Sequence, residues 1–482
     1  MMQISGAWTL STTIGTKGMI DSMKLQKSAA LFMALCLLLL AALSGCSRDP
    51  SGETSSSSES EQQKELHLLL YAPDGDASYW NAVVDAYKAQ YPNVNVTSNV
   101  TGDAASIAQQ QILDGNAPDL IFLPDDDGSG VTNALIQDHA LVDLTDFFAN
   151  LAVPVTNGTS ESSQESQADS SSESDASGTK SVALWSGVLD NSSCQPYGDG
   201  KIYLAPVLCF AQGLWYNANA LTADAFASWE DLAASSAALT YAGTDPRSVA
   251  PLLIPALTSY LGKSGTDNLF AMADGAWEGE MVANALAAFA SVGGRVVSGT
   301  ADFDDSAALA AFAEGTATVI PYSTDILKRT QSLTMAGGFA WGFAPTPIVS
   351  GADKLLPVDL QEAFIPADAV NQETAKEFLA FLYSDAVVQL AAQHLNATPP
   401  VEGASQLMEG HAHEAAVSAY ALLDGEYSPY CWKFALLDVL SKDPGTDLFQ
   451  PVNSVLDGSF SVSQWALNAE QMCDVLREHI TQ

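Results

Sequence analysis

Acidic and aromatic side chains follow two apolar runs of the sequence, where they could hydrogen-bond to and stack on a small polar ligand. Asp76 and Trp80 follow one run, and Asp126 is the middle of three aspartates after another. Carboxylates accept hydrogen bonds from hydroxyl groups, and an indole has a flat apolar face. Sugars combine hydroxyls with apolar ring faces, so these residue types favour a sugar ligand. Two alternatives stay open: Trp80 has the spacing of a helix core residue, and the aspartates could be solvated or bind Ca²⁺.

A strand–helix alternation between residues 66 and 123 must position these side chains. The pattern predicts a strand at 66–71, a helix that ends at Tyr91-Pro92, a strand at 94–97, a helix capped by Asp103 and ended by Gly115, and a strand at 117–123. This order predicts a parallel sheet wrapped by helices. Ligands collect at the C-terminal ends of such strands, where the loops 73–77 and 124–130 lie.

The rest of the sequence also alternates between helical and extended patterns. Alanine-rich segments predict helices throughout 230–315, beginning at Ser228, and an apolar run predicts a strand at 315–322. One long amphipathic helix is predicted over 373–395, and another closes the chain at 462–480. A chain of this length has room for two or more domains.

The N-terminus has the features of an export signal. Lys24 and Lys27 precede an apolar run that is too short to span a bilayer. The sequence Leu43-Ser44-Gly45-Cys46 follows and resembles the lipobox of bacterial lipoproteins. This resemblance implies that residues 1–45 are an upstream segment and signal peptide, that Cys46 carries lipid, and that the protein is anchored on the extracytoplasmic face of the cell membrane. Residues 46–65 are then a flexible tether, because serine-rich segments bury little apolar area.

The sequence is strongly acidic, with 18 Lys and Arg against 57 Asp and Glu and a formal net charge of −39. Such a surface repels phosphates, which argues against nucleic acid as a partner. An acidic cleft would also suit a cation such as a polyamine. A second low-complexity segment at 157–178 is rich in Ser, Glu, Asp and Gln, and is predicted to be a disordered surface insert.

The sequence lacks the motifs that would indicate an enzyme. It contains neither a Gly-x-Ser-x-Gly elbow nor a His-Glu-x-x-His pair, and Glu278 with Glu280 fits a solvated helix face better than a catalytic dyad. We therefore expect no catalytic residue, no cofactor and no metal. Four cysteines remain beside Cys46 and the signal peptide, without a CxxC pair, so disulfides and separate thiols both stay open: Cys194, Cys209, Cys431 and Cys473.

Short motifs in a fixed order resemble the extracellular solute-binding proteins of ABC importers, in the family-1 or maltose-type branch. They extend over roughly residues 66–480, and their order is more specific than any one of them. The motifs are Tyr91-Pro92, Gly115–Leu120, Asp199–Tyr203, Trp215–Asn217, Ser228–Leu232, Phe312–Ala317, Ala375–Leu382 and Leu456–Val462.

This resemblance implies an α/β fold of two lobes, each a parallel-rich sheet flanked by helices, that close on a solute like a hinged clamp. It implies a monomer that delivers the solute to ABC permease subunits. The expected boundaries are a first lobe at 66–208, a second lobe at 209–320, a return to the first lobe at 321–366, and mainly second-lobe helices at 367–482.

The resemblance also implies further site residues. Asp126 is expected to point to the cleft, and Phe210 and Gln212 lie on the first crossing strand. Tyr322 follows the returning strand, and Trp432 lies where the family commonly has a stacking aromatic. Phe210 and Trp432 could equally be core residues. Asp359 and Gln361 stand where the family often has glycines, and complete the predicted set: Asp76, Trp80, Asp126, Phe210, Gln212, Tyr322, Asp359, Gln361 and Trp432.

Three functions therefore compete at the level of sequence. The first is a lipoprotein that binds a mono- or oligosaccharide for an ABC importer, which the resemblance favours. The second is a binding protein for another solute, such as a polyamine. The third is a surface enzyme, an adhesion protein or a sensor.

Overall fold

The computed structural model describes residues 63–123, 130–154, 179–191, 193–432 and 448–480. The predicted lipidation site Cys46, the predicted ligand residue Asp126 and the serine-rich insert 157–178 lie outside these ranges. Within the described part of the chain, no helix combines the length and apolarity needed to cross a membrane.

The strands form one large sheet and one small one. Their bounds are β1 (Lys64–Tyr71), β2 (Val94–Thr101), β3 (Leu120–Phe122), β4 (Ala152–Pro154), β5 (Thr179–Ser181), β6 (Ala205–Asn217), β7 (Val319–Ser323), β8 (Trp341–Ala344), β9 (Leu355–Phe364) and β10 (Ser428–Tyr430). The large sheet has the order β2-β1-β3-β9-β6-β7, with β10 beside β9 and β8 beside β6, and β4 pairs with β5. Strand β1 is parallel to both β2 and β3, which confirms the parallel sheet predicted for residues 66–123.

Helices cover both faces of the β1–β3 sheet and fill the long intervals between later strands. The α-helices are Ser78–Gln90, Ala104–Leu113, Val131–Gln137, Thr145–Ala149, Trp229–Ala234, Ala250–Phe270, Glu280–Ser291, Asp305–Ala313, Ile326–Arg329, Gln372–Phe381, Asp385–Leu395, Ala404–Met408, Glu414–Leu423, Val452–Leu456 and Val462–Ile480. Short 3₁₀ turns lie at Pro73–Gly75, Ala223–Phe226, Pro246–Val249, Val292–Arg295 and Thr300–Asp302.

Strands β6 and β9 contribute to two large apolar cores, and the first core also takes in Leu309, Ile320 and Ile326 from the segment between the two strands. On β6, Leu208 belongs to the first core and Leu214 to the second. On β9, Leu355 belongs to the second core and Leu360 to the first. The chain therefore enters the second lobe through β6 and leaves it through β9, so residues 218–354 lie between these two crossings. This arrangement confirms the predicted α/β fold of two lobes.

The lobe boundaries differ from those expected from the sequence. Strand β8, in the segment predicted to return to the first lobe, pairs with the second-lobe end of β6, although Ile326 and Leu327 of the same segment are buried in the first core. The segment 367–482 is divided between the cores, because Phe378, Val387 and Tyr420 are buried in the first one. Within this segment, only residues from Tyr430 onward are buried in the second core.

Two local predictions were also wrong. The helix predicted over 373–395 is two helices, because Ser384 adopts an extended conformation (φ −76°, ψ 155°) that interrupts the helical hydrogen bonds. The preceding Tyr383 is buried and donates its hydroxyl to the carbonyl oxygen of Pro206 at 3.0 Å. Asp103 lies at the N-cap of its helix, but its side chain accepts no capping hydrogen bond.

The cysteines in the ranges that the structure describes form no disulfide. Cys194, Cys209 and Cys473 are buried, and Cys431 is half-buried. Burial raises the pKa of Cys209 and Cys473, so both thiols stay protonated near neutral pH. The structure therefore uses these side chains as small apolar groups.

His413 predicts a pH dependence of stability. Its Nδ1 accepts the N–H of Ala415 at 3.1 Å as the cap of helix Glu414–Leu423, and burial lowers its pKa. The unfolded chain, whose His pKa is about 6.5, then binds the proton more tightly, so stability is full above pH 6.5 and falls as the pH drops further. Losing such a cap costs on the order of 1 kcal/mol.

We expect His413→Asn, which keeps a neutral capping acceptor, to flatten the loss of stability between pH 7 and pH 5. Urea unfolding at four pH values measures the change. Parallel stability profiles for the wild type and the variant would show that His413 does not cause the dependence.

Candidate functional site

A cavity of about 670 Å³ lies where β1, β6, β7 and β9 meet the loops between the lobes. This volume is within the range of small-molecule sites. Its lining residues are Tyr71, Pro73, Asp76, Tyr79, Trp80, Phe122, Leu208, Phe210, Asp305, Ser306, Leu309, Ser323, Asp325, Lys328, Arg329, Asp359, Gln361 and Leu395. The lining thus has three parts. We call the residues from the first lobe the first wall, those from the crossing strands the floor, and those from the second lobe the second wall.

The first wall is built at the C-terminal end of β1. The strand ends at Tyr71, the turn Pro73–Gly75 reverses the chain, and helix Ser78–Gln90 begins. Asp76 Oδ1 accepts the N–H of Ser78 at 3.0 Å, which fixes the carboxylate at the start of this helix. The edge of the sheet therefore positions an acidic group at the cavity, as expected for a loop that follows a parallel strand.

Trp80 lines this wall but is a core residue in its packing. It is 3% exposed, and its Nε1 donates to the carbonyl oxygen of Tyr71 at 3.0 Å. Its ring meets Phe122 edge-on at 4.7 Å between centroids, and Tyr79 is 4.8 Å away. The core alternative left open by the sequence thus describes most of its surface.

The floor consists of alternate residues on the two crossing strands. Strands β6 and β9 are antiparallel, and their register pairs Leu208 with Gln361 and Phe210 with Asp359. Residues two apart on a strand share a face, and cross-strand partners share it too. An aromatic ring, a carboxylate and an amide are therefore set side by side beneath the cavity.

The second wall begins at the N-terminus of helix Asp305–Ala313. Asp304 caps this helix by accepting the N–H of Ala307 at 2.8 Å. Asp305 accepts the hydroxyl of Tyr322 at 2.7 Å and pairs through its other oxygen with Arg329. The hydrogen bond to Asp305 raises the pKa of Arg329, and burial followed by this carboxylate raises the pKa of Tyr322. The wall therefore presents a fixed carboxylate and a permanently charged guanidinium.

An ion pair joins the two walls. Lys328 Nζ lies 2.8 Å from Asp76 Oδ2, the carboxylate oxygen that Ser78 leaves open. The hydrogen bond from Lys328, with a smaller contribution from Ser78, holds the pKa of Asp76 well below its usual range. Asp76 is therefore ionised at every physiological pH, and the pair persists as a charged contact.

The described side chains of the site include the groups needed to bind a polar ring compound. Carboxylates accept hydrogen bonds, Lys328 and Arg329 donate them, and Tyr71 and Phe210 add aromatic surface. Within the described ranges, the one set of carboxylates close enough to share a cation lies elsewhere and is bridged by Arg477: Asp274, Glu470 and Asp474.

The structure brings five predicted ligand residues to the cavity: Asp76, Trp80, Phe210, Asp359 and Gln361. Tyr322 lies behind the second wall, where it bonds to Asp305, and Gln212 lies one residue pair beyond the floor, opposite Ser323. Trp432 is not part of the lining, because it packs 5.7 Å from Phe270 and 5.7 Å from Phe449 at the second core. Asp126 is outside the described residues.

Sequence reasoning missed Asp305, Lys328 and Arg329. A signal existed for the two cations, because the chain has only 18 basic residues and these two stand together a few residues after a predicted strand. For Asp305 the signal was weaker, since an acidic residue in the first turn of a helix also satisfies the helix dipole. Tyr71 and Tyr79 were hidden in a strand end and a helix start.

The fold and the cavity between its lobes define a two-lobe binding protein, and solved structures share this fold. A probable secreted solute-binding lipoprotein from Streptomyces coelicolor matches with a TM-score of 0.61 and 15% identity over 85% of this chain and 97% of its own. The bacterial solute receptor AcbH, described with a preference for β-D-galactopyranose, matches with a TM-score of 0.63 and 13% identity over 86% and 99%. A chitin oligosaccharide binding protein matches with a TM-score of 0.55 and 15% identity over 86% and 98%.

The sequence comparison identifies the family. The sequence model described as bacterial extracellular solute-binding protein matches residues 72–389, which is more than half of the chain. The chain therefore belongs to the bacterial extracellular solute-binding protein family, as the order of its motifs predicted. No curated protein matches this chain in sequence. The family and the structural neighbours are binding proteins.

Proposed function

We propose that this protein is the lipid-anchored solute-binding component of an ABC importer and that it captures a carbohydrate between its two lobes for delivery to the permease. The observation that carries the proposal is the composition of the cavity. Aromatic rings, carboxylates, an amide and two cations line it together, and they come from both lobes and the strands between them.

The chemistry of the cavity favours a neutral polyhydroxylated ring. Phe210 and Tyr71 provide apolar surface against which a pyranose face can pack. Asp359 and Gln361 offer acceptors beside Phe210, so hydroxyls at the edge of a stacked ring lie within reach of both. Solved structures with the same fold include proteins named for binding galactopyranose and chitin oligosaccharides, which supports this solute class.

A polyamine is the second candidate, favoured by the count of charges. Four aspartates line the cavity, against Lys328 and Arg329: Asp76, Asp305, Asp325 and Asp359. The two cations are already held by Asp76 and Asp305. A polycation would be attracted by the excess of aspartates over cations in the lining, whereas a sugar would use the same carboxylates as hydrogen-bond acceptors.

A thermal-shift screen of the full chain separates the two candidates. The panel contains galactose, maltotriose, chitobiose, xylobiose and spermidine, each at about 1 mM. A solute at about 100 times its Kd stabilises the folded state by about 2.7 kcal/mol, so a true ligand raises the Tm clearly. We expect a sugar to do this and spermidine not to.

Asp359→Asn distinguishes the alternatives further, because it keeps the shape of the side chain and removes its charge. It should weaken sugar binding by about tenfold, the value of a hydrogen bond to a charged group. A shift with spermidine alone, lost in this variant, would replace the sugar with a polyamine. No shift with any compound in the panel would contradict the carbohydrate proposal.

Lipid anchoring gives a separate prediction. Cys46→Ala should abolish incorporation of radiolabelled palmitate and should leave the precursor uncleaved, because the thiol is the group that receives the lipid. Cys36→Ala is the matched control, since Cys36 lies in the preceding apolar run and should label like the wild type. Unchanged labelling of Cys46→Ala would show that the anchor is attached elsewhere or is absent.

A further inference from the structure

We infer that Lys328 is a positioning residue of the solute site: its ion pair with Asp76 holds the two walls of the cavity together and stabilises the closed arrangement of the lobes. This inference rests on the proposed function only for the identity of the solute. The effect on closure is a property of the protein without solute, and it can be measured separately.

The pair crosses between the lobes because of the path of the chain. Asp76 precedes the first crossing strand, β6, and lies at the start of the first-lobe helix Ser78–Gln90. Lys328 lies in the segment 218–354, between the strand β6 that leads into the second lobe and the strand β9 that leads out of it. Along the chain, the two residues are connected through the crossing strand β6. The 2.8 Å contact is therefore a direct link across the mouth of the cavity.

Both partners are held in place by the chain around them. Asp76 uses Oδ1 to accept the N–H of Ser78, which leaves Oδ2 for Lys328. Lys328 lies in the short helix Ile326–Arg329, in which Ile326 is fully buried and Leu327 is 7% exposed. Because the backbone around each charge is anchored, little ordering is needed to form the pair. The attraction between the two charges therefore favours a short distance between the two walls.

The neighbouring cation has a different task. Arg329 pairs with Asp305, and both residues belong to the second lobe, so their contact is kept whether the lobes are near or apart. Of these two adjacent cations, Lys328 makes the contact to the first wall. This division explains why a lysine and an arginine stand side by side in a chain with so few basic residues.

The chain contains a closely matched pair inside one lobe. Lys201 Nζ lies 2.8 Å from Asp143 Oδ2, and Asp143 Oδ1 accepts the N–H of Thr145 at 2.9 Å. The hydrogen bond from Lys201 is the largest cause that lowers the pKa of Asp143 to about 2, as the hydrogen bond from Lys328 is the largest cause at Asp76. Neither residue lines the cavity. Lys201→Met thus removes an equivalent ion pair without touching the contact between the walls.

Hydrogen exchange of the full chain without solute tests the inference. The variants are Lys328→Met, which keeps the apolar stem and removes the charge, Lys328→Arg, which keeps the charge, and Lys201→Met. Exposed ion pairs contribute little, so we expect Lys328→Met to raise exchange in peptides covering 71–80 and 322–330 by about two- to fivefold. Lys328→Arg should restore protection, and Lys201→Met should raise exchange only near its own contact.

Salt provides an independent readout. In 1 M NaCl the Debye length falls to about 3 Å, so the wild type should approach the exchange of Lys328→Met while that variant changes little. Equal exchange of Lys328→Met and the wild type at low salt would overturn the inference, as would an equal salt response of both. A tightly binding sugar should also bind Lys328→Met about two- to fivefold more weakly. Failure of every sugar to bind the wild type would refute the proposed solute and leave the exchange result to decide the role of Lys328.

Discussion

Asp119→Ala should lower the free energy of unfolding by about 3–5 kcal/mol, among the largest effects of any single polar substitution in this protein. The side chain is 1% exposed. It accepts the backbone N–H of His67 at 2.8 Å and that of Asn371 at 2.8 Å, and it accepts the Asn371 amide at 3.0 Å. Alanine would leave these part-buried donors without their carboxylate partner, and each unsatisfied donor costs up to about 1–3 kcal/mol.

The consequence extends beyond one hydrogen-bond cluster. Asp119 joins β1, the approach to β3 and the start of helix Gln372–Phe381, and β1 carries the first wall of the cavity at its other end. Urea unfolding of Asp119→Ala measures the loss. Asp103→Ala is the control, because its carboxylate makes no capping bond and its removal should change stability by less than about 0.5 kcal/mol. Similar losses in both variants would show that the buried network is not the cause.

Trp80→Ala should destabilise the protein by about 3–5 kcal/mol, because it removes a buried indole and leaves a cavity between β1 and helix Ser78–Gln90. It also removes the donor to the Tyr71 carbonyl oxygen and the contact with Phe122. Trp80→Phe should cost less, since it keeps an aromatic ring in the core and loses only the N–H and part of the volume.

This result bears on how binding data should be interpreted. A variant that unfolds in part has a lower apparent affinity even where the intrinsic affinity is unchanged. Titration of Trp80→Ala should therefore be corrected by its melting curve. If the folded fraction of Trp80→Ala binds the solute with wild-type affinity, Trp80 contributes to packing alone. If its affinity is still lower after the correction for unfolding, the result supports the predicted stacking of Trp80 on a solute. Unchanged stability of Trp80→Ala would contradict the buried position described above.

The first lobe could be predicted well because its signals are local. Leu66, Leu68 and Leu70 are buried on one face of β1 and Leu69 on the other, which gives the continuous apolar run typical of a parallel strand covered on both sides. Asp76 could be placed at the edge of the sheet for the same reason, since it directly follows this strand. Neither inference needed knowledge of residues far away in the sequence.

The second wall could not be predicted from local patterns. Its position depends on the register of β6 with β7 and β9, which pairs Gly213 with Tyr322 and Phe210 with Asp359. A shift of one residue would turn the other faces toward the cavity, and spacing alone does not fix the register of strands that are far apart in sequence. Trp432 shows the same difficulty, because its position in the sequence does not determine whether its side chain faces the cavity or the core.

The lobe boundaries failed for a related reason. The amphipathic patterns of helices Gln372–Phe381 and Glu414–Leu423 predict that each helix buries an apolar face. They do not predict which of the two cores that face contacts. In the structure these faces meet the first core, where Tyr420 donates its hydroxyl to the carbonyl oxygen of Cys209 on β6 at 2.8 Å. The choice between two equally apolar cores is made by tertiary contacts that a pattern cannot show.

We expect the solute to be held between the two lobes by both walls and the floor together. The most direct measurement is hydrogen exchange of the full chain with and without the sugar that gives the largest thermal shift. We expect protection in four segments at once: 71–80, 208–212, 305–329 and 358–361. Protection confined to one lobe, or located away from these segments, would contradict it.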